Sequence, residues 1–388
     1  MSTTRASSLR WIIALGAVCL ATRAFALAFV FTDQSGGVLS APQLASLNVA
    51  ASYFTRNFSD NVTVNIAVRV GNLGPCDLGT GCVEGNTHYN TFGIGYPTAR
   101  ARLASDATSS ADRTAVGSLQ PGDFLSFLAT NANGSERFDN DRDIPVPPFY
   151  DNNNFFLNVT RANAKALGYN LTGLDGTITI NAAALPFLQA SRDGGIAPDK
   201  LDLTTIWEHE IGHVLGFVSG VEIVDGNLDP SLDPFAFDVF RLYSMLDLFR
   251  YSAPGVLDLR VGHQPYFSID GGVTSIVPFS SGVNNGGDGW GAAHFYLRDT
   301  NLMNPALFPG ESFDLSPIDI TAFDVIGWNR IPEPGVLELI GLGCLLLAGR
   351  SRRRRISSDR AIAAAGLSQY QARPSRARIR SAGDAGAG

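Results

Sequence analysis

The sequence predicts a mixed α/β (α+β) fold: a twisted mixed sheet, helices packed against it, and a loop-rich C-terminal subdomain. Three observations predict it. Residues 62–70 (VTVNIAVRV) alternate apolar and polar positions at period two, as a half-buried strand does. Residues 41–54 and 203–217 carry apolar side chains at helical spacing. Residues 220–315 are dominated by Gly, Asp, Ser, Asn and Pro around short apolar pieces such as 266–269, which leaves little regular structure there.

Taken in order, residues 41–54 (APQLASLNVAASYF) read as a helix and 62–70 as the strand after it. Residues 71–97 are a Gly-rich loop, and 99–119 are one or two helices broken near 106–110. Strands are expected at 124–129 and at 177–181 (TITIN), with a helix at 160–167 between them. The helix at 203–217 has Asp202 or Thr204 available as N-cap and Gly216 near its end. A last helix over 317–325 closes with Ile326-Gly327-Trp328, and no internal repeat is present.

Composition bounds the function classes. A chain of 388 residues with 45% hydrophobic, 10% aromatic and 17% charged residues suits a globular protein with a large interior. The net charge of −7 conceals a polar split. Setting aside the 13 bases and 3 acids of residues 1–26 and 335–388 leaves 16 bases against 33 acids, a body of about −17. That body repels phosphates and carries no basic stripe, which excludes nucleic-acid binding.

The N-terminus has Arg5 and Arg10, an apolar run over 11–21, then Ala24-Phe25-Ala26, the small-x-small pattern before a signal-peptidase cut. The run is too short to span a bilayer, so residues 1–26 are expected to be a signal peptide and the mature chain to begin near Leu27. Cys19 and Cys344 fall in terminal apolar runs. Cys76 and Cys82 remain in the body, and an exported chain favours a local disulfide between them over a metal site.

The chemistry is concentrated in His209-Glu210-Ile211-Gly212-His213, inside an otherwise apolar helix. Residues four apart face the same way, so one rigid element offers two imidazoles to a zinc ion. Glu210 sits at the edge of that face, where it can reach a water in an open coordination position. With five His and eight Glu in the chain, a chance match to this pattern is expected only about 0.001 times. The spacing predicts hydrolysis with Glu210 as general base, shuttling a proton from water to the leaving amine without a covalent intermediate.

HEIGHVLGF resembles the opening of the metzincin signature HExxHxxGxxH, in which Gly216 would let the chain turn sharply. Ser219 stands where the third histidine is expected. The leishmanolysin-like branch of the metzincins carries a long insertion at that point. Gly291-Ala292-Ala293-His294-Phe295 and Leu302-Met303-Asn304-Pro305 resemble its third-ligand segment and its Met-turn. The resemblance implies a zincin/metzincin-like fold with an active-site helix, His209, His213 and His294 as Zn2+ ligands, and Met303 beneath them. It also implies a cleft lined by an edge strand, which is expected at 177–181 and could pair with an extended peptide.

Other candidates stand beside these. His263 and His88 read as loop histidines, Glu222 or Asp225 would be the ligand of a different zincin class, and Tyr296 could polarise a carbonyl. Acidic clusters at 139–143 and 225–229 place oxygens at alternate positions, as calcium loops do, without the full pattern of such a loop.

Ile331-Pro332-Glu333-Pro334, the apolar run 335–349 and the arginine cluster 350–355 resemble a PEP-CTERM sorting signal, the kind an exosortase recognises at the inner membrane. The body over about 30–330 also resembles bacterial metalloproteases carrying that signal. The expected organisation is a signal peptide (1–26), a zinc metallopeptidase domain (27–330), a sorting segment (331–355) with transient membrane association, and a disordered tail (356–388). The expectation is an exported endopeptidase of the cell envelope or exterior acting on peptide or protein substrates. The alternative is a non-catalytic envelope or matrix protein on the same scaffold.

Overall fold

The computed structural model describes residues 27–79, 81–140, 152–296 and 300–332. The expected signal peptide, the sorting segment beyond Pro332, the tail 356–388 and part of the 139–143 cluster lie outside the described residues. Among the described residues no helix is long and apolar enough to cross a membrane.

The architecture is mixed α/β with several sheets. Strand β1 (Ala28–Asp33) and strand β2 (Thr63–Gly71) pair in parallel, so the chain between them must cross over, and helix α1 (Ala41–Asn57) makes that crossing. Ser40 caps α1 in a reciprocal box with Gln43, and Pro42 occupies its first turn. Leu47, Ala50, Ala51 and Phe54 recur at helical spacing and form its buried face. In β2, Val64, Ile66, Ala67 and Val68 are fully buried.

Strand β3 (Gly85–Tyr89), strand β8 (Gly176–Asn181) and the first two strands form a four-stranded sheet in the order β1-β2-β8-β3. β8 runs parallel to β2, and β3 runs antiparallel to β8. The expectation of an edge strand at 177–181 is therefore corrected. TITIN is interior, with Ile178 and Ile180 fully buried, and the edge belongs to GNTHY, within the segment expected to be loop. The remainder of that segment holds strand β4 (Thr91–Gly95), paired with β7 (Phe156–Thr160).

The expected break in 99–119 is present, between helix α2 (Tyr96–Asp106) and helix α3 (Ser110–Ser118). Helix α4 (Arg161–Ala166) follows β7. The expected strand at 124–129 forms slightly later, as β5 (Phe127–Thr130). Together with β6 (Glu136–Asp139) it belongs to a six-stranded sheet with four short strands drawn from the loop-rich half, between Arg250 and Pro278.

Helix α5 (Leu203–Leu215) carries the histidine motif. It starts because the Asp202 carboxylate accepts the free N–H groups of Thr204 and Thr205, and it stops because Gly216 takes the left-handed conformation at φ 119°. Helix α6 (Gly220–Gly226) follows, and helix α7 (Pro317–Val325) ends the described fold. An aromatic column runs from α1 through α7 to the turn that follows α5. Phe54 meets Phe323 at 5.6 Å, Phe323 meets Phe217 at 5.9 Å, and Phe217 meets Phe295 at 4.9 Å between ring centroids. These contacts hold the turn after α5 against the segment that bears His294.

Candidate metal centre

His209 and His213, one turn apart on α5, bring their Nε2 atoms to 3.0 Å. His294, 81 positions beyond His213, brings its own Nε2 to 3.2 Å from each of them. These three form the cluster of potential metal ligands found among the described residues.

The other ring nitrogens decide what the three can do. His209 Nδ1 faces the Leu302 carbonyl at 2.9 Å, His213 Nδ1 the Phe217 carbonyl at 2.7 Å, and His294 Nδ1 the Gly291 carbonyl at 2.9 Å. A carbonyl oxygen only accepts, so each Nδ1 must carry the proton and donate. Each neutral ring then presents a bare Nε2 lone pair, and the three lone pairs point together. Such an arrangement is repulsive until a cation enters it. An ion roughly 2.0–2.1 Å from each nitrogen at the tetrahedral angle would set N···N edges of about 3.3 Å, close to those observed. Burial, reinforced by the neighbouring imidazole, lowers His209 to about 3, burial lowers His294 to about 4, and His213 also lies well below its ordinary value. All three rings are thus held neutral.

The support beneath the histidines is built from local packing. A Cβ on Gly212 would stand 2.6 Å from the Met303 sulfur, so the glycine makes room for this fully buried methionine under the helix between the two histidines. The Asp319 carboxylate accepts from Leu302 N at 2.8 Å and Met303 N at 3.2 Å, which aims the Leu302 carbonyl at His209. Arg250, fully buried, donates to the carbonyls of Ala292 and Ser280 and steadies the approach to His294.

Glu210 is buried, and its carboxylate lies against the edge strand. Thr87 Oγ1 donates to Glu210 Oε2 at 2.6 Å. A Cβ on Gly85 would fall 2.8 Å from Oε1, so the strand makes a slot for the acid. Burial pushes the carboxyl up to about 7, Thr87 opposes that rise, and the nearby Glu84 adds to it. The three histidines and the acid open on one cleft of about 520 Å³, and no Lys or Arg is among the described residues lining it.

The remaining sequence candidates fall elsewhere or take other roles. Ser219 caps α6 and donates to Asp247, and His263 pairs with Glu136 at 2.7 Å on the surface. His88 sits exposed on β3. Glu222 lines the cleft but accepts from Ala293 N, 4.0 Å from His294 Nδ1, and so props the third imidazole instead of joining the trio. The Asp225 carboxylate accepts from Val283 N and Asn284 N, and Asp139 pairs with Arg137. Tyr296 is exposed and does not line the cleft. Cys76 and Cys82 are joined in a disulfide whose second half-cystine reaches the cleft rim. Gly85, Thr87, Tyr89, Arg250 and Asp319 were not singled out by sequence reasoning. The first three share alternate positions of one short strand, and that is the only signal they carry.

The fold and site define an α/β protein with a three-histidine centre and a buried carboxylate beside it. No known protein family, curated protein or solved structure matches the chain.

Proposed function

We propose that this chain is a zinc-dependent endopeptidase of the metzincin type, with His209, His213 and His294 as the ligands and Glu210 as the general base. One observation carries the reading: three Nε2 lone pairs, each fixed by a carbonyl behind it, converge beside a buried carboxylate at the floor of a cleft. A structural zinc site has four protein ligands, whereas three leave a position open for chemistry. Met303 under the helix and the long insertion between Gly216 and His294 suit the leishmanolysin-like arrangement.

A bound zinc ion would supply Lewis acidity to a water and to the substrate carbonyl. Glu210, raised toward neutrality by burial, is matched to accept the proton of the attacking water and return it to the amine nitrogen that leaves. Thr87 holds one carboxylate oxygen and leaves Oε1 for that exchange. The outer edge of β3 offers unpaired backbone groups along the cleft, to which an extended peptide can add as a strand. The apolar wall of Ile206, Leu302 and Leu307 suits an apolar side chain next to the scissile bond.

The alternative, a non-catalytic envelope protein, has no use for a buried acid lodged in a glycine slot beside the ligands. Export and C-terminal sorting remain part of the proposal on the residues of 1–26 and 331–355. The test is zinc analysis of the purified protein with a peptide-library digest, with and without chelator. The reading requires about one zinc per chain and cleavage that chelator abolishes and zinc restores. Chelator-resistant cleavage, or a zinc-loaded protein that cleaves nothing, sinks it.

A further inference from the structure

We infer that the Tyr89 phenol is a catalytic hydrogen-bond donor, placed to stabilise the negative oxygen that develops on the attacked carbonyl. The inference rests on the peptidase reading and adds a residue to it.

Alternation along the edge strand supplies the geometry. Side chains two apart on a strand share a face. Gly85 and Thr87 both face Glu210, so Tyr89 is the third position on that face. Its register partner is Gly176, where a Cβ would stand 2.8 Å from Val214. Tyr89 therefore lies level with the α5 turn that carries His213, and it lines the cleft with His213, Glu222 and His294. The inward face of the strand reads as a slot, a clamp and a phenol.

Hydrolysis puts charge on the carbonyl oxygen, and a preorganised donor at that place stabilises the transition state more than the substrate. The other hydroxyls of the cleft wall are engaged. Thr87 donates to Glu210, and Thr205 donates to Asp202 at 2.7 Å. The imidazoles and carboxylates there are acceptors on the cleft side. Tyr89 Oη makes no hydrogen bond among the described residues, although burial, with help from Glu222 and Asp247, raises the phenol and keeps it in the donor form. Trp290 is the other aromatic donor bordering the cleft.

Tyr89→Phe removes one oxygen and no packing volume to speak of, so it separates donation from shape. In the zinc-loaded full chain, kcat should fall about 100-fold, with KM within about twofold and zinc stoichiometry unchanged. Affinity for a phosphinic peptide, which mimics the tetrahedral anion, should fall by a similar factor, while affinity for the matching product peptide should hold. A kcat within about twofold of wild type overturns the assignment. Equal losses for phosphinic and product peptides also overturn it, since that marks a packing role. A loss confined to Trp290→Phe would move the donor to the other wall. If the wild-type protein cleaves no peptide, the peptidase reading fails first, and the phosphinic titration still reports on Tyr89 without turnover.

Discussion

Gly85→Ala should disable the proposed enzyme while leaving its fold and metal content intact. The new Cβ would stand 2.8 Å from Glu210 Oε1 and 3.1 Å from both Cγ and Cδ. Heavy atoms in contact settle at roughly 3.5 Å, so the carboxylate must retreat by about 0.5 Å or more. The colliding atoms are the end of a flexible side chain, which makes the retreat cheap for the fold. Gly85 is not among the positive-φ glycines, so alanine adds no backbone strain. Stability should change by about 1 kcal/mol or less, with alanine's smaller backbone entropy loss offsetting part of the crowding. Catalysis has no such tolerance. The retreat stretches the 2.6 Å bond from Thr87 and shifts the base from its working position. A misplacement of about 1 Å can cost about 100-fold, so kcat should fall between about 10-fold and 100-fold. The assay is turnover of a fluorogenic peptide, alongside zinc content by mass spectrometry and the melting temperature by calorimetry. Full activity in a stable variant would refute the role given to the Glu210 carboxylate. Loss of zinc would show that the disturbance reached the imidazoles.

Glu210→Gln should retain about one zinc per chain and lose peptidase activity, because the amide keeps the shape and discards the base. Metal content and turnover measured on one preparation check it, and near wild-type hydrolysis would reject the mechanism. His294→Ala should lose zinc and activity together, whereas His263→Ala should leave zinc stoichiometry near one, since His263 pairs with Glu136 away from the trio. The reverse result in metal analysis would reassign the third ligand. Asp60 tests the electrostatics of the fold itself, since burial raises its carboxyl from 3.8 to about 6 against the opposing bonds from Asn329. A raised folded-state pKa means that the folded chain holds the proton more tightly than the unfolded one. The group's contribution is full below about pH 4 and is lost as pH rises to about 6. Asp60→Asn should flatten the melting temperature across that window, and an unchanged slope would contradict the burial argument.

What the sequence disclosed follows the range of the interactions. Helix α5 was legible because its determinants are local: Asp202 at the start, Gly216 at the end, and two histidines four apart. β2 was legible from its alternation. β3 was not, because its inward face is made of Gly85, Thr87 and Tyr89, a gap and two polar-tipped side chains fitted to a helix that the sequence does not place beside them. TITIN read as a strand, but its position did not. Alternation of Thr with Ile suits an edge as well as an interior strand that buries its threonines, and Thr179 is itself buried. His294 was reachable only through resemblance, since no local pattern ties it to α5. The carbonyls of Leu302, Phe217 and Gly291, which fix the tautomers, are backbone atoms and leave no mark in the sequence.

The 81-residue separation of His213 from His294 has a thermodynamic side. An ion gripped by both would act as a cross-link, and closing a loop of that length removes denatured-chain entropy equivalent to roughly 4–5 kcal/mol on the relation used for disulfides. Much of the chain inside that loop is neither helix nor strand, with the short helix α6 and four short strands as its main regular pieces. The four-stranded sheet lies wholly outside it. The two halves would therefore answer differently to an empty centre. The four-stranded sheet keeps its own strand pairing, whereas the inserted half, whose apolar residues join the same core, would lose a clasp that its sparse backbone pairing does not replace.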